Sequence, residues 1–437
     1  MGEGHSLVLH PSVMPELLAP AGGREQLEAA VRFGADAVYL AVDRFGMRAR
    51  ADNFTLDEAR DALSFAHAAG VRVHVTLNTL MDASDIRALP AYCEALADAG
   101  ADAFIVGDLG AFSVAQDHAP DVELHVSTQA SVCNAAAATR WHSLGASRVV
   151  CAREMSLDDI ADMRAASPRE LQIEAFVHGA MCVAYSGRCL LSAAMANRSG
   201  NKGACVQSCR WRYALVEEKR PGEYFPLEED GSGSYVLNAQ DLNVVRHLGE
   251  LSAAGVDSFK IEGRNKRAFY VATVVGAYRR ALDGGDVQAA ARELETVSHR
   301  PYGTGFYFGD AGLSSERDGY IREYLHAATV EACEPAGGLG KGAWRVTVLC
   351  RNRFFERDEL EVLSPGRETR IVRVHSIELL VPADGGLPFV ERGMSFDQVR
   401  AASVPEAVSL ANRAGEHYAF LVDELLFPGD YLRRRAD

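Results

Sequence analysis

The sequence predicts an α/β fold: a TIM-type (β/α)8 barrel with a cysteine-rich insertion between strands seven and eight, followed by a small C-terminal all-β domain. Two observations support the barrel: a repeated structural unit, and the number of strands that it predicts. A helix, a glycine and an apolar run recur together, as in Gly34–Leu40, Gly100–Val106 and Gly255–Ile261. Glycine ends a helix in the left-handed conformation, and an unbroken apolar run is typical of a buried parallel strand. Repetition of this unit predicts parallel strands linked by helices.

The predicted barrel strands are all short and apolar, and there are eight of them: Glu16–Pro20, Ala37–Val42, Val71–Leu77, Ala103–Gly107, Glu123–Ser127, Arg148–Ala152, Gln172–Val177 and Ser258–Ile261. Helical periodicity fills most of the gaps, as in Gln26–Phe33, Leu56–Ala69 and Ile86–Ala99. Eight such strands favour a closed barrel. A doubly wound sheet is the alternative, but it requires a glycine-rich phosphate turn after the first strand, and Ala19–Gly23 does not fit that pattern.

The segment between strands seven and eight is long, about residues 178–240. We expect it to contain a hairpin of Tyr213–Glu217 and Tyr235–Leu237, and we expect Ala268–Leu282 to form the helix after strand eight. From about residue 328 only short strands are predicted, around a glycine-rich joint at residues 337–342: Ala328–Cys333, Trp344–Leu349, Glu359–Leu363, Thr369–Val374 and Ala419–Val422. The sequence therefore predicts two domains, residues 1–325 and 326–437.

Composition narrows the classes of function. The net charge of -15 is unfavourable for a general nucleic-acid binder, although residues 202–220 contain a local group of basic side chains. No apolar run is long enough to span a membrane, and the first residues lack the pattern of a signal peptide. We therefore expect a cytoplasmic protein with no membrane association. The HExxH, GxSxG and P-loop motifs are absent, which argues against the enzyme classes that depend on them.

Four cysteines lie close together in the insertion: Cys182, Cys189, Cys205 and Cys209. Under reducing conditions, grouped thiolates favour a metal over disulfides. Four sulfur ligands suit a [4Fe–4S] cluster or a structural zinc ion. The segment between them is rich in side chains that bind substrates or anions, which favours iron–sulfur. Reduced cysteines packed as small apolar side chains are the remaining alternative.

Polar residues follow the predicted strands at their C-terminal ends, where TIM barrels carry their active sites. Those proposed to bind substrate are Arg48, Asn78, Asp108, Gln129, Arg153 and Arg264, together with Arg188 in the insertion. The arginines at the rim could bind carboxylates or phosphates in bidentate fashion. Asn78 and Asp108 could instead cap the helices that follow. An anion-binding site at this rim is the resulting prediction.

Three residues are candidates for proton transfer: Glu174, His178 and Glu262. Alternation along strand seven places Glu174, Phe176 and His178 on one face, so a carboxylate and an imidazole would share a cavity. The alternatives are an ion pair between Glu174 and a barrel arginine, and a histidine that merely packs at the barrel mouth.

Several motifs resemble the collagenase-like peptidase family U-32: Glu174–Arg210, Glu16–Gly22, Phe45–Phe54, Ser127–Gln129, Phe259–Arg264, Ser298–Gly309 and Arg351–Phe354. Despite the family's name, the subgroup that this layout resembles most carries out prephenate-dependent 5-hydroxylation of the wobble uridine of tRNA. The resemblance implies a [4Fe–4S] cluster on Cys182, Cys189, Cys205 and Cys209. It also implies tRNA as a partner and prephenate, a small dicarboxylate, as co-substrate. Because some family members work in pairs, a paired family member is a further candidate partner.

Other functions remain open at this stage. The substrate could be another RNA or a quinone precursor, and the chain could be a peptidase, as the family name implies. A non-catalytic protein whose cluster only relays electrons is a further alternative, and zinc is the alternative metal.

Overall fold

A computed structural model describes residues 14–47, 52–181, 189–211, 214–215, 225–226, 240–309, 321–336 and 343–436 of the chain. The chain divides into two compact units, Met1–Leu294 with His299–Ile321, and Glu295–Ser298 with Arg322–Asp437. The strands of the first unit are β1 (Glu16–Pro20), β2 (Ala37–Leu40), β3 (Arg72–Leu77), β4 (Ala103–Val106), β5 (Glu123–Val126), β6 (Arg148–Val150), β7 (Gln172–Ala180), β8 (Ala214–Leu215), β9 (Phe225–Pro226), β10 (Asp241–Asn243), β11 (Ser258–Ile261) and β12 (Tyr302–Gly303).

Eight of these strands, β1 to β7 and β11, close into a parallel barrel. Strands β1 to β7 pair with one another in chain order. Strand β11 pairs with both β7 and β1, which closes the ring. The TIM-type barrel is therefore confirmed, with the insertion between its seventh and eighth strands. Beyond the barrel, β10 runs antiparallel to the end of β7, and β12 pairs with β10.

The described part of the first unit contains ten α-helices, most of which connect the barrel strands, and their ends follow from local sequence. They are α1 (Arg24–Arg32), α2 (Leu56–Ala68), α3 (Ala83–Asp98), α4 (Leu109–His118), α5 (Ala135–Ser143), α6 (Leu157–Ala166), α7 (Leu191–Ala196), α8 (Leu248–Ala253), α9 (Ala268–Leu282) and α10 (Val287–Leu294). Thr55 and Glu58 form a capping box at the start of α2. Gly34 follows α1 with φ +98°, and Gly255 follows α8 with φ +89°, as the recurring glycine predicted. No helix among the described residues is long and apolar enough to cross a membrane.

The predicted hairpin of the insertion differs from the structure. Ala214–Leu215 pairs antiparallel with Phe225–Pro226, whereas the predicted second strand, Tyr235–Leu237, lies outside the described residues. The polar stretch between the predicted strands had placed the second strand of the hairpin later in the chain. The strand partner instead comes from a short apolar pair nearer in sequence.

The second unit is built on an antiparallel sheet, as expected for the C-terminal part. Its elements are β13 (Tyr324–Pro335), β14 (Trp344–Cys350), β15 (Phe354–Phe355), β16 (Glu359–Leu363), β17 (Arg370–Arg373), β18 (His375–Pro382), α11 (Phe389–Arg392), α12 (Phe396–Ala402), β19 (Ser403–Ala407), β20 (Leu410–Ala411), β21 (His417–Val422) and β22 (Tyr431–Arg435). The sheet order is β17-β16-β22-β13-β14-β21-β18-β19, and β15 pairs separately with β20. The two short helices were not predicted, although Ser395 and Gln398 form a capping box at the second. The glycine-rich joint at residues 337–342 lies outside the described residues.

The barrel interior contains buried charges on four neighbouring strands. The Arg148 guanidinium donates to Glu16 Oε1 at 2.6 Å and to Glu174 Oε2 at 3.0 Å. Lys260 Nζ donates to Glu174 Oε1 at 2.6 Å. Burial alone would raise the pKa of Glu174, but the adjacent Lys260 and Arg148 outweigh it and lower that pKa below its usual value. Glu174 is therefore ionised and held between two cations.

Two buried histidines lie beside these charges. The rings of His74 and His125 meet edge to face with centroids 4.8 Å apart, and both side chains are fully buried. Burial lowers the pKa of both well below the usual histidine value; His125 adds to the effect at His74, and Arg148 adds to it at His125. Both nitrogens of His74 and Nδ1 of His125 lack a hydrogen-bond partner in the structure. Both rings are consequently neutral in the folded state.

We expect Glu174→Ala to reduce the free energy of unfolding by about 3–5 kcal/mol, because it leaves the buried Lys260 and Arg148 without a shared carboxylate. Urea unfolding followed by far-UV circular dichroism measures the change. Glu28→Ala is the matched control, because it removes an exposed carboxylate paired with Arg24 on α1 and should cost at most about 1 kcal/mol. Equal losses in the two variants would contradict the role of Glu174.

We expect stability to fall as the pH drops from about 6.5 towards 5. The unfolded chain binds protons at His74 and His125 near their ordinary pKa of about 6.5, whereas the folded chain keeps both neutral. Each histidine contributes a slope of up to about 1.4 kcal/mol per pH unit. His74→Gln should flatten the pH dependence of the urea midpoint, and His118→Gln, at an exposed position, should not. An unchanged slope in His74→Gln would rule out this origin.

Candidate functional site

The C-terminal mouth of the barrel is held together by hydrogen bonds between its loops. Asn78, directly after β3, accepts from Met47 N at 3.1 Å and donates to Ser127 Oγ at 3.2 Å. Its amide thus ties together the loops that follow β2, β3 and β5. The predicted capping role does not apply to Asn78, since α3 is capped by Asp82.

Arg264 follows β11 and is 3% exposed. Its guanidinium donates to Thr76 Oγ1 at 2.9 Å, to Asn53 Oδ1 at 2.9 Å and to the carbonyl oxygen of Met47. The predicted anion-binding arginine therefore fixes the loop after β2 within the structure. Its backbone explains one glycine of the motif Glu16–Gly22, because a Cβ on Gly22 would lie 1.9 Å from the Arg264 carbonyl oxygen.

Arg153 and Glu262 come together at the mouth. Arg153 Nη2 donates to Glu262 Oε2 at 3.1 Å, and Nη1 donates to the carbonyl oxygen of Ala180. The guanidinium carbon lies 3.7 Å from the centroid of the Phe176 ring, which is a cation–π contact. The two side chains are 8% and 14% exposed, so both are partly reachable from the mouth. This pair joins a predicted substrate-binding residue to a predicted proton-transfer residue.

Asp108 and Gln129 lie at the rim after β4 and β5. Asp108 caps α4, since its Oδ1 accepts from Ala111 N at 3.0 Å. Gln129 lies on a 3-10 turn that follows β5, and its Cβ lies 3.1 Å from the place that a Cβ on Gly107 would take. Gln129 is half-buried. The carboxylate of Asp108 already caps helix α4, whereas Gln129 lies at the rim of the barrel mouth.

The prediction that Glu174 and His178 share one face is wrong. Along β7, Phe176 pairs with Lys260 but His178 pairs with Ile261, so Val177 forms a bulge. A bulge inserts one residue and reverses the side of every later side chain. Glu174 therefore contacts Lys260 inside the barrel, whereas His178 packs against helix α9 outside it. No proton passes directly between the two side chains.

His178 is surrounded by aromatic rings. Its ring centroid lies 5.5 Å from that of Tyr278, 6.0 Å from that of Tyr270 and 5.4 Å from that of Tyr302. Burial lowers the pKa of His178 to about 3, a shift that Asp241 partly opposes. The imidazole is neutral, and its Nε2 lacks a hydrogen-bond partner in the structure. This environment is that of a packed histidine and not of one that faces the barrel mouth.

Three of the four clustered cysteines belong to the described residues, and they surround α7. Cys189 precedes the helix, the 3-10 turn with Cys209 packs against it, and Val206 N donates to Ser192 Oγ at 3.0 Å. Gln207 N lies 3.3 Å from Cys205 Sγ, in the geometry of an N–H donor to sulfur. None of the three is in a disulfide. Within the described ranges, no three His, Cys, Asp or Glu side chains are close enough to hold a single metal ion.

The insertion is fastened to the loop between β3 and α3. Lys202 Nζ lies 2.6 Å from Asp82 Oδ2 and 3.6 Å from Asp85 Oδ2, and Leu80 N donates to Asn201 O at 3.0 Å. The bond from Lys202 is the largest cause that lowers the pKa of Asp82. We call these contacts the Lys202 clasp. The sequence did not reveal it, because no local pattern links residues so distant along the chain.

Arg48, Cys182 and Arg188 lie outside the described residues. The structure adds Lys260 and Arg148, which the sequence analysis did not single out. A lysine and an arginine within otherwise apolar strands were the available signal, because an ionised side chain in a buried strand requires a partner.

Comparisons with known proteins match the chain to relatives named for tRNA hydroxylation and to a relative named collagenase. The tRNA hydroxylation protein P1 of Bacillus subtilis is 36% identical over 379 residues, which cover 85% of this chain and 88% of that protein. The tRNA hydroxylation protein P of Escherichia coli is 32% identical over 398 residues, covering 80% and 86%. A collagenase of Porphyromonas gingivalis is 36% identical over 312 residues, covering 67% and 73%.

A family model described as peptidase family U32 matches residues 22–317, which is more than half of the chain. The match spans the barrel strands from β2 onward and the cysteine-rich insertion. With this match and relatives of such identity, the chain belongs to peptidase family U32.

Proposed function

We propose that this protein takes part in hydroxylation of RNA, and specifically in prephenate-dependent 5-hydroxylation of the wobble uridine of tRNA. The observation that carries the proposal is the match to two proteins named for tRNA hydroxylation, each over at least 80% of this chain. A match of this extent supports a shared site as well as a shared fold.

The position of the insertion supports a reaction at the barrel mouth. In the closed ring of strands, β3 and β7 lie on opposite sides. The insertion leaves from the end of β7, and the Lys202 clasp attaches it beside the end of β3. It therefore crosses the face on which TIM barrels carry their active sites. This placement supports a reaction at the mouth that uses a group held by the insertion.

The thiols have the chemistry that a [4Fe–4S] cluster requires. Cys189, Cys205 and Cys209, together with Cys182, would hold the cluster through one thiolate each. The backbone N–H next to Cys205 Sγ is a contact that stabilises a metal-bound thiolate. When bound, the cluster would supply one-electron transfer.

Arg153 is our candidate for binding a carboxylate of prephenate. Its three described donor contacts, to Ala180 O, Met181 Sδ and Glu262 Oε2, leave further N–H groups of the guanidinium for a ligand. Glu262 and the Phe176 ring hold the guanidinium plane in place, so a carboxylate would meet a preorganised partner. Glu262, which pairs with Arg153 at the mouth, remains our candidate for proton transfer. Glu174 and His178 have structural roles, as a buried ion-pair partner and a packed side chain.

A peptidase is the second candidate, favoured by the family description and by the relative named collagenase. A thiol peptidase would pair a cysteine with a histidine. The histidine closest in sequence to the clustered cysteines, His178, packs among tyrosines instead. Cleavage of a defined peptide by metal-free protein would support this alternative and contradict ours.

The test restores the gene to a strain that lacks it and measures tRNA nucleosides by mass spectrometry. Wild type should restore 5-hydroxylated uridine, and purified protein should contain about four irons and four sulfides per chain. Cys205→Ala should lose iron and tRNA hydroxylation together. Cys333→Ala, a thiol of the second unit, is the control and should keep both. Hydroxylation restored only in ribosomal RNA would reassign the substrate, and one zinc without sulfide would reject the cluster.

We expect Lys202→Ala to loosen the insertion without removing the cysteines. Exposed ion pairs contribute up to about 1 kcal/mol, so hydrogen exchange of residues 199–205 should rise by up to about fivefold. Lys202→Arg keeps the charge and should preserve protection. We expect tRNA hydroxylation to fall in Lys202→Ala while iron is retained. Exchange that is identical in both variants would contradict the clasp.

A further inference from the structure

We infer that Arg353, Phe355 and Arg357 of the second unit bind an unpaired stretch of the RNA substrate. The inference rests on the proposed function and assigns a surface to its macromolecular partner. These residues follow each other at every second position, and all three are exposed. We call them the Arg-Phe-Arg row.

The pairing of β15 with β20 determines which side chains point outward. Phe354 pairs with Ala411 and Phe355 with Leu410. Phe354 and Ala411 are fully buried, whereas Phe355 is 41% exposed. Because successive side chains of a strand alternate, Arg353 and Phe355 lie on the side away from the core. The strand therefore presents an aromatic ring on the same side as the Arg353 guanidinium, and Arg357 lies in the turn that follows β15.

The backbone of the row is fixed at several points. Asn352 N donates to Ala327 O at 3.0 Å, and Arg434 Nε donates to the Arg353 carbonyl oxygen at 2.9 Å. Phe355 N donates to Asp358 Oδ2 at 2.8 Å. A fixed backbone lowers the entropy lost when the side chains bind a partner. An exposed phenylalanine on such a scaffold is available for stacking.

Two arginines near this segment differ from most arginines of the unit. Many arginines there form ion pairs with carboxylates, as in the pairs Arg345–Glu378, Arg370–Glu424, Arg373–Glu359, Arg400–Glu334 and Arg433–Glu361. Arg357 and Arg413 are both exposed, and neither side chain forms a hydrogen bond or ion pair in the part of the chain that the structure describes. Gly415 N donates to Cys350 O, which continues the β15–β20 register and brings Arg413 next to Asn352. Three arginines thus lie in or beside the β15–β20 pair, together with the carboxylates of Glu356 and Asp358, in a chain of net charge -15.

The combination fits single-stranded nucleic acid. Guanidinium groups bind phosphates, and an exposed aromatic ring stacks on a base. Only an unpaired base offers its face for such stacking, so a double helix would not use Phe355. The row therefore fits a loop or an end of the RNA, and the arginines fit its backbone.

The experiment measures binding of the full chain to fluorescently labelled, unmodified tRNA by anisotropy at several salt concentrations. The double variant Arg353→Ala/Arg357→Ala should bind more weakly, and the slope of log K against log salt should fall by about 1.4, which is about 0.7 for each phosphate contact. Phe355→Ala should weaken binding about five- to a hundredfold. Arg373→Ala and Ile371→Ala, exposed on β17 of the same unit, are the matched controls.

Wild-type affinity and salt slope in the row variants, with circular dichroism showing that they are folded, would overturn the inference. If wild type still restores tRNA hydroxylation in that case, the proposed function stands and only this surface is rejected. If wild type neither binds RNA nor restores hydroxylation, both are rejected. Unchanged RNA binding with altered sedimentation of the row variants would instead identify a protein interface and overturn the RNA assignment.

Discussion

The barrel depends on a buried ionic contact at the place where its sheet closes. Glu16, Arg148, Glu174 and Lys260 lie on β1, β6, β7 and β11, which are neighbours around the ring. Each carboxylate is within hydrogen-bond distance of a cation. Removing such charges from water is costly, and only complete pairing compensates for it. The closed register is the arrangement in which these four residues meet, so the contact favours that register over alternatives.

Strand β7 connects the buried ion pairs of the barrel interior to the mouth of the barrel. Its first part pairs with β6 and β11, and its end, after the bulge at Val177, pairs with β10. The bulge turns His178 away from the axis and directs the chain at Ala180 towards Arg153. The insertion starts just beyond. The geometry that closes the barrel therefore also determines where the cysteines stand relative to the mouth.

The site differs in kind from the interior. Inside the barrel, charges are buried and fully used in structure. At the mouth, Arg153 and Glu262 are partly reachable, and a cation–π contact holds the guanidinium. Such a pair suits recognition of a carboxylate, as the proposed function requires, more than it suits peptide hydrolysis. The family's name and the chemistry of this site thus point in different directions.

The sequence by itself determined the eight barrel strands, the helix Ala268–Leu282 and the grouping of the cysteines. Each of these depends on a local cause: an apolar run, a glycine after a helix, or the spacing of thiols. Only the tertiary structure decided the side of His178, because a one-residue bulge reverses alternation and depends on the pairing partner. It likewise decided that Arg264 and Glu174 serve structure and that Lys202 reaches Asp82. Those roles join residues far apart in the chain, and no local pattern encodes which distant side chain a buried or bridging charge will meet.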